Sequence, residues 1–278
     1  MKKGEEMFGT FETAWCPGCG NFSLLATLKE TLFEMGIGPE KLCVVSGIGQ
    51  AAKTPHYLKC NAFNGLHGRS LPVAQGIKLA NPGLTVLAES GDGCHYGEGG
   101  NHFLAAIRRN VNITMIVHNN QIYGLTKGQA SPTTQKGHIT KAQPHGNPLA
   151  EFNPLAVAVT MGAGFVARGY VREEELLKET LKAAIQYEGF SLVDILQPCV
   201  SFNTVNTYAW YKERCRPITH HDPSDFEAAL TLALSFGETI PIGVIRNIPT
   251  DPCREPSSPL IAQAVDMPGL SEAMATFL

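Results

Sequence analysis

Two short segments carry donor atoms suited to a divalent cation. Gly91-Asp92-Gly93 follows the apolar run 84–88, and Asn120 closes a second apolar run, 113–117, lying 28 residues after Asp92. One carboxylate and one carboxamide oxygen are thereby delivered to the ends of two neighbouring strands. Mg²⁺ prefers octahedral oxygen coordination and commonly bridges a carboxylate to a diphosphate. Asp92, the Asn120 side chain and the backbone carbonyl of Ile122 supply the protein's share of such a shell. Gly91 and Gly93 lack a Cβ, so backbone N–H groups can approach phosphate oxygens closely. A helix opening near Gly99 adds free N–H groups and a positive dipole end. Taken singly, GDG is a common tight turn, and Asn119-Asn120 is a strand-ending turn. Their separation, one βαβ step, favours a diphosphate–cation site.

The second group that could do chemistry is sulfur. The chain holds eight cysteines, at 16, 19, 43, 60, 94, 199, 215 and 253. Cys16 and Cys19 form a C-x-x-C pair able to ligate one iron–sulfur cluster or one zinc ion. No strand–helix pattern precedes it, which argues against a thioredoxin-like redox pair. No second C-x-x-C lies nearby for a local zinc ribbon, so further ligands must come from distant segments. Cys43 starts a buried strand and reads as core, and Cys215 and Cys253 read as incidental thiols.

The elements that must position these groups alternate. The apolar spacing predicts a helix over 21–35, a strand over 43–46 leading into Gly47-Ile48-Gly49, and a helix over 72–80. A strand over 84–89, a helix from Gly99 to Arg109 and a strand over 113–118 follow. Residues 124–153 show no periodicity, and a long unpatterned loop in a compact domain is usually functional. Beyond it come a helix over 154–161, a strand over 164–170, a helix over 172–187, a strand over 190–197, a helix over 224–236 and a strand over 240–246. This alternation predicts an α/β fold with a doubly wound, mostly parallel sheet. Ligands of such sheets sit beyond the carboxyl ends of the strands. The expected organisation is an N-terminal arm with the C-x-x-C (1–20, extended over 1–15), an α/β domain (21–215) and a C-terminal extension (216–278) packing on the domain or on a partner.

Composition narrows the class. The 278 residues carry a net charge of −3 and only 17% charged residues, so no nucleic-acid partner is expected. The apolar runs are too short to span a bilayer, and the first residues lead into no apolar signal segment. A cytoplasmic protein without a membrane partner is the expectation.

The surrounding text resembles a known family. GDG followed by NN about 28 residues on is similar to the thiamin diphosphate motif. WCPGCGN at 15–21, SGIG at 46–49, LHGR at 66–69, GGNH at 99–102 and IYGLTKGQASPT at 122–133 together resemble the β subunit of 2-oxoacid:ferredoxin oxidoreductases. The resemblance spans roughly residues 12–215 and implies a thiamin diphosphate-binding fold. It also implies Mg²⁺ held by Asp92, Asn120 and the Ile122 carbonyl. Thiamin diphosphate would be lined by Ile48, Gly49, Gln50, Ala51, His67, Gly91, Gly93, Cys94, Gly124 and Leu125. Cys94 stands where the family carries an acidic residue. The resemblance further implies a [4Fe–4S] cluster on Cys16, Cys19 and Cys199. Its fourth ligand is expected after SGIG, where this sequence has Gln50. Cys60 is the expected replacement, with a three-cysteine cluster, or none, as the alternatives.

The implied reaction is oxidative decarboxylation of a 2-oxoacid with coenzyme A, giving acyl-CoA and CO₂, with electrons passed to ferredoxin. 2-Oxoglutarate is the favoured substrate; pyruvate and branched-chain 2-oxoacids are the alternatives. His67 is expected to contact the diphosphate or pyrimidine, and Lys127 to place a cation near substrate carboxylates, against the plainer reading of a solvated loop lysine. No acidic residue suits the aminopyrimidine, so an α subunit, with γ and δ subunits possible, is expected to complete the site. A cluster-free thiamin enzyme and a zinc-stabilised, non-enzymatic binding module are the rival readings.

Overall fold

The computed structural model describes residues 2–253. Its core is one sheet, and the strands form where β-branched and apolar residues run continuously. These are β1 (Leu42–Ser46), β2 (Asn61–Asn64), β3 (Thr85–Gly91), β4 (Ile113–Asn119), β5 (Phe165–Tyr170), β6 (Phe190–Leu196), β7 (Cys215–Pro217) and β8 (Ile240–Asn247). The spatial order is β2-β1-β3-β4-β6-β5-β8-β7. All pairings are parallel except β5 with β8. β1, β4, β5 and β6 are buried along their whole length, as expected of strands covered on both faces.

The helices divide between the faces. α1 (Lys3–Phe8), α2 (Gly20–Glu34), α6 (Glu174–Gln186) and α7 (Tyr208–Arg214) cover one face, whose apolar core includes Phe8, Leu28, Val44, Leu181 and Tyr211. α3 (Ser70–Ala80), α4 (Gly100–Arg109), α5 (Pro154–Thr160) and α8 (Phe226–Leu234) cover the other, around Val45, Leu71, Phe103, Leu155 and Ala229. The doubly wound parallel sheet expected from the sequence is thus observed.

Two expectations are revised. Residues 1–15 are not simply an extended arm: 3–8 are helical, and Phe8 is wholly buried. The segment is tied down by Lys59 N–H donating to the Phe8 carbonyl (2.9 Å) and Lys29 Nζ donating to the Gly9 carbonyl (2.6 Å). The helix expected from Gly99 begins at Gly100, and a π-helical turn, Gly93–Glu98, stands between it and the GDG loop. Residues 216–253 are built into the same sheet through β8. The remaining tail, suggested as a partner contact, lies outside the described residues.

The topology makes a crevice. β1 leads to β2 on one flank, and the chain then crosses to β3 on the other flank. The loops after β1 and β3 therefore diverge, which is where doubly wound folds bind ligands.

Candidate functional site

That crevice is a cavity open to solvent, with about 890 Å³ of unfilled space counting its open mouth. Its walls are the loop after β1 (Ile48, Gly49, Gln50, Ala51), the loop after β3 (Gly91, Asp92, Gly93, Cys94), the loop after β4 (Asn120, Ile122, Gly124, Leu125), and His67. Cys16, Cys19 and Cys199 line the same space, with Trp15, Asn21, Tyr123, Val200 and Phe202. Residues spread over nearly the whole fold are brought together because β1, β3, β4 and β6 all end on this side.

The geometry around Asp92 is specific. β3 and β4 are neighbours in register, with Gly91 opposite His118, so Asp92 and Asn120 leave adjacent strand ends. Asp92 is buried, and its Oδ2 accepts hydrogen bonds from Ser131 Oγ (2.5 Å) and Thr133 Oγ1 (2.6 Å). Asn120 Oδ1 accepts from the Ile122 N–H at 3.0 Å, curling the chain so that Ile122 also faces the cavity. Gln121, between them, is buried and takes a left-handed φ of +57°. It is held by Nε2 donating to Tyr211 Oη (2.8 Å) and by its carbonyl accepting from Thr134 Oγ1 (2.6 Å). Ser131, Thr133, Thr134 and Gln121 had no sequence signal of their own; only the family-like run 122–133 marked their neighbourhood.

Burial pushes the Asp92 carboxyl up to about 6 from an ordinary 3.8, against the lowering effect of the Ser131 and Thr133 hydroxyls. A buried carboxylate partnered by neutral hydroxyls favours a cation beside it. The sign of the pH dependence follows. Between 3.8 and about 6 the folded metal-free chain holds a proton that the unfolded chain has released. That contribution to stability is present at acid pH and is lost as pH rises through the folded value. A metal requires the deprotonated group. The stabilisation by Mg²⁺ with thiamin diphosphate is therefore expected to be small near about pH 5 and several-fold larger near about pH 7.5, measured as the shift in melting temperature on ligand addition. A shift that is flat or greater at acid pH would remove Asp92 from the metal site.

Behind the site Asn119 Nδ2 donates to the buried Asp194 carboxylate (3.0 Å), which also accepts from Tyr96 Oη at 2.7 Å. Burial raises the Asp194 carboxyl as well. On the opposite sheet face His118 Nε2 lies 2.7 Å from Glu89 Oε1, and His118 Nδ1 lies 2.9 Å from Asn21 Oδ1. Gln197 Nε2 donates to the same Asn21 oxygen at 2.7 Å, tying the start of α2 to the ends of β4 and β6.

The other expected residues fall as follows. Cys94 is buried, and its Sγ accepts from the Ile48 N–H (3.4 Å) and the Gly68 N–H (3.2 Å), joining two cavity loops to the GDG turn. His67 Nδ1 is 3.0 Å from Glu98 Oε2, an ion-pair distance whose angles are too poor for a hydrogen bond. The Tyr123 hydroxyl meets the same carboxylate at 3.2 Å. Lys127 does not line the cavity. It is exposed at a turn with φ +81°.

Three cysteines converge and the fourth does not. Gly18 and Val200 are neighbours, a Cβ at Gly18 lying 4.0 Å from Val200 Cγ1, and Tyr208 Oη donates to the Gly18 carbonyl at 3.0 Å. This seats the CPGC turn against the Cys199 segment. Burial pushes the Cys19 thiol up, and Cys199 and Cys16 nearby push it further. Cys60 is not among the cavity-lining residues. Its thiol lies near Val44, Cys43 and Glu89, and burial raises it to about 11. Among the described residues no group of three or more His, Cys, Asp or Glu side chains is gathered for a single metal ion.

Known proteins share this sequence and this cavity-bearing fold. A family described as "Thiamine pyrophosphate enzyme, C-terminal TPP binding domain" matches residues 44–195, and a second family, the C-terminal part of the pyruvate ferredoxin oxidoreductase beta chain, matches 199–256. The chain is 44% identical over 242 residues to 2-oxoacid:ferredoxin oxidoreductase 1, subunit beta, of Aeropyrum pernix, covering 83% of this chain and 76% of that one. It belongs to the family of 2-oxoacid:ferredoxin oxidoreductase β subunits. As such it is part of an oxidoreductase built on a thiamin diphosphate-binding domain, and a binding module without enzymatic role is excluded. The β subunit from Saccharolobus solfataricus is 43% identical over 245 residues, covering 83% of this chain and 80% of its own. The 2-oxoglutarate oxidoreductase subunit KorB of Mycobacterium tuberculosis is 41% identical over 231 residues, covering 82% and 62%. A solved 2-oxoglutarate:ferredoxin oxidoreductase from Magnetococcus marinus, with 2-oxoglutarate, coenzyme A and succinyl-CoA bound, matches with TM-score 0.88 at 33% identity, over 96% of this chain and 97% of that one. The β subunit of such an enzyme implies partner subunits. Among the described residues no helix is long and apolar enough to cross a membrane.

Proposed function

We propose that this chain, with an α subunit, converts 2-oxoglutarate and coenzyme A to an acyl-CoA and CO₂, passing electrons through a [4Fe–4S] cluster to ferredoxin. The observation that carries this reading is one cavity lined both by Asp92 and Asn120 and by Cys16, Cys19 and Cys199. A thiamin site alone would not need three thiols from two distant segments on its wall. The preference for 2-oxoglutarate is supported by the names of the Mycobacterium tuberculosis relative and of the structural neighbour.

The residues fit the groups. The buried Asp92 carboxylate, Asn120 and the Ile122 carbonyl would hold Mg²⁺ against the diphosphate. Gly91 and Gly49 would leave room for it, a Cβ at Gly49 meeting nothing within 4 Å, whereas the absent Cβ of Gly93 makes room for the Tyr123 ring, 2.2 Å from where it would lie. His67, held near Glu98, and the backbone of Gly124 and Leu125 would border the diphosphate and thiazolium. Thiamin diphosphate supplies the electron sink for decarboxylation, and the protein supplies orientation and electrostatics. The chain's part is to fix the diphosphate by Asp92, to hold Gln121 in its left-handed turn, and to keep the cysteine wall close to the cavity. The exposed apolar side chains Ile48, Leu125 and Val200 at the mouth are where an α subunit would close the site.

The test is an anaerobic assay of the reconstituted complex with 2-oxoglutarate, pyruvate and a branched-chain 2-oxoacid, following dye reduction. Reduction that requires both subunits and coenzyme A, and is at least roughly tenfold faster in kcat/KM with 2-oxoglutarate, is the expected result. Turnover without coenzyme A and without iron would replace this reading with a cluster-free decarboxylase. Faster turnover of pyruvate would overturn the substrate assignment alone.

A further inference from the structure

Gln50 borders the cavity together with Cys16, Cys19 and Cys199, and its carboxamide oxygen is buried with no hydrogen-bond partner. An unpaired buried carboxamide oxygen is costly, and native structures keep few of them. Its backbone is fixed where it stands. The Trp15 indole Nε1 donates to the Gln50 carbonyl at 2.8 Å, and the Trp15 ring is braced by Tyr57 and Phe22 at centroid distances of 4.8 and 5.4 Å. Trp15 is the residue before Cys16, so this bond ties Gln50 to the cysteine turn.

Resting on the cluster reading above, we infer that Gln50 supplies the side chain facing the fourth iron, so that the cluster has three thiolate ligands and one iron served by a carboxamide oxygen. Three observations support it. The thiols of Cys16, Cys19 and Cys199 are the only cysteine thiols other than that of Cys94 on this wall among the described residues, and Cys94 is engaged by two backbone N–H groups. Cys60 is not on this wall; its thiol is buried near Val44, Cys43 and Glu89. Gln50 alone of the wall's carboxamides belongs to the loop that Trp15 ties to Cys16.

The chemistry follows from the donor set. A neutral, hard oxygen replaces a soft thiolate, so the iron it faces is bound less tightly than its neighbours. The ligand shell also carries one negative charge fewer than a four-thiolate shell, which raises the reduction potential. A one-electron oxidant such as ferricyanide would take one electron from the oxidised-resting cluster. The oxygen-bound iron would leave as Fe²⁺, and a three-iron core would remain on the three cysteines.

The experiment uses the anaerobically purified complex of this chain with its α subunit. Iron per β subunit, electron paramagnetic resonance after stoichiometric ferricyanide, and the midpoint potential are measured for wild type, Gln50→Cys, Gln50→Glu and Cys60→Ser. Wild type is expected to lose about one iron in four and to give a three-iron signal. Gln50→Cys is expected to resist that loss by roughly tenfold or more in rate and to shift the potential to more negative values. Gln50→Glu, which keeps an oxygen but restores the charge, should fall between, and Cys60→Ser should match wild type. Two results would overturn the assignment: a wild-type cluster as resistant as that of Gln50→Cys, or Cys60→Ser alone destabilising it. Bound thiamin diphosphate with no iron in wild type would instead sink the cluster reading itself. Thermal melts of each variant distinguish a ligand effect from misfolding.

Discussion

Asp92→Ala should leave the chain folded but unable to retain Mg²⁺ and thiamin diphosphate, with activity of the reconstituted complex falling to background. Removing even an outer partner of a metal ligand costs roughly 10–100-fold in affinity, so loss of the ligand itself should exceed that range. The structure gives a reason to expect folding to survive. The buried carboxylate is raised to about 6 by desolvation, so it is a local burden on the metal-free chain. Ser131 and Thr133 would lose their acceptor, yet the loop keeps its bond from Thr134 Oγ1 to the Gln121 carbonyl and that from Asn147 Nδ2 to the Thr134 carbonyl (2.9 Å). Calorimetric titration with thiamin diphosphate and Mg²⁺ checks the claim. Binding within tenfold of wild type would show that Asp92 does not hold the metal. Asp92→Asn is the companion variant, because it keeps the shape and removes the charge.

Gly68→Ala is expected to have the largest effect on stability of any single-methyl change at the site. Gly68 has φ +73°, and a Cβ there would lie 2.4 Å from the Glu98 carbonyl carbon and 2.6 Å from the Gly99 nitrogen. Those are backbone atoms that cannot rotate away. The left-handed conformation costs a side-chain-bearing residue about 1–2 kcal/mol, and overpacking adds about 1–3 kcal/mol. The melting temperature should fall by on the order of 10 °C. The same residue donates its N–H to Cys94 Sγ and follows His67, so thiamin diphosphate affinity should fall with it. Gly76→Ala, where a Cβ would meet nothing within 4 Å, is the control and should be close to neutral. Equal melting temperatures for the two variants would show that the loop yields more readily than its contacts suggest.

The sheet was legible because continuous apolar runs such as 113–117 need no long-range information to be read as buried strands. Their ends were legible too, since Gly91 and Asn119-Asn120 break the pattern, and those ends are where the cavity lies. The short elements were not legible. β2 is exposed along its length and carries no apolar alternation, so only its pairing with β1 makes it a strand. α1 is six residues long, too short to be stable alone, and forms because Phe8 is buried beneath it. Ser131 and Thr133 reach Asp92 through a loop without periodicity, so no spacing rule could have pointed to their hydroxyls.

By itself the sequence determined the α/β class, the family, and the pair of strand ends that presents Asp92 and Asn120, because each is encoded in residues close together along the chain. Only the tertiary structure decided which distant side chains share a wall. Cys60 lies ten residues from Gln50 in sequence, yet its thiol is buried near Val44, Cys43 and Glu89, off the cavity wall, while Trp15 draws Gln50 to the cysteine turn. The direction of a side chain is set by the strand or turn that carries it and by what packs behind it, and that information resides in contacts between segments, not in their order.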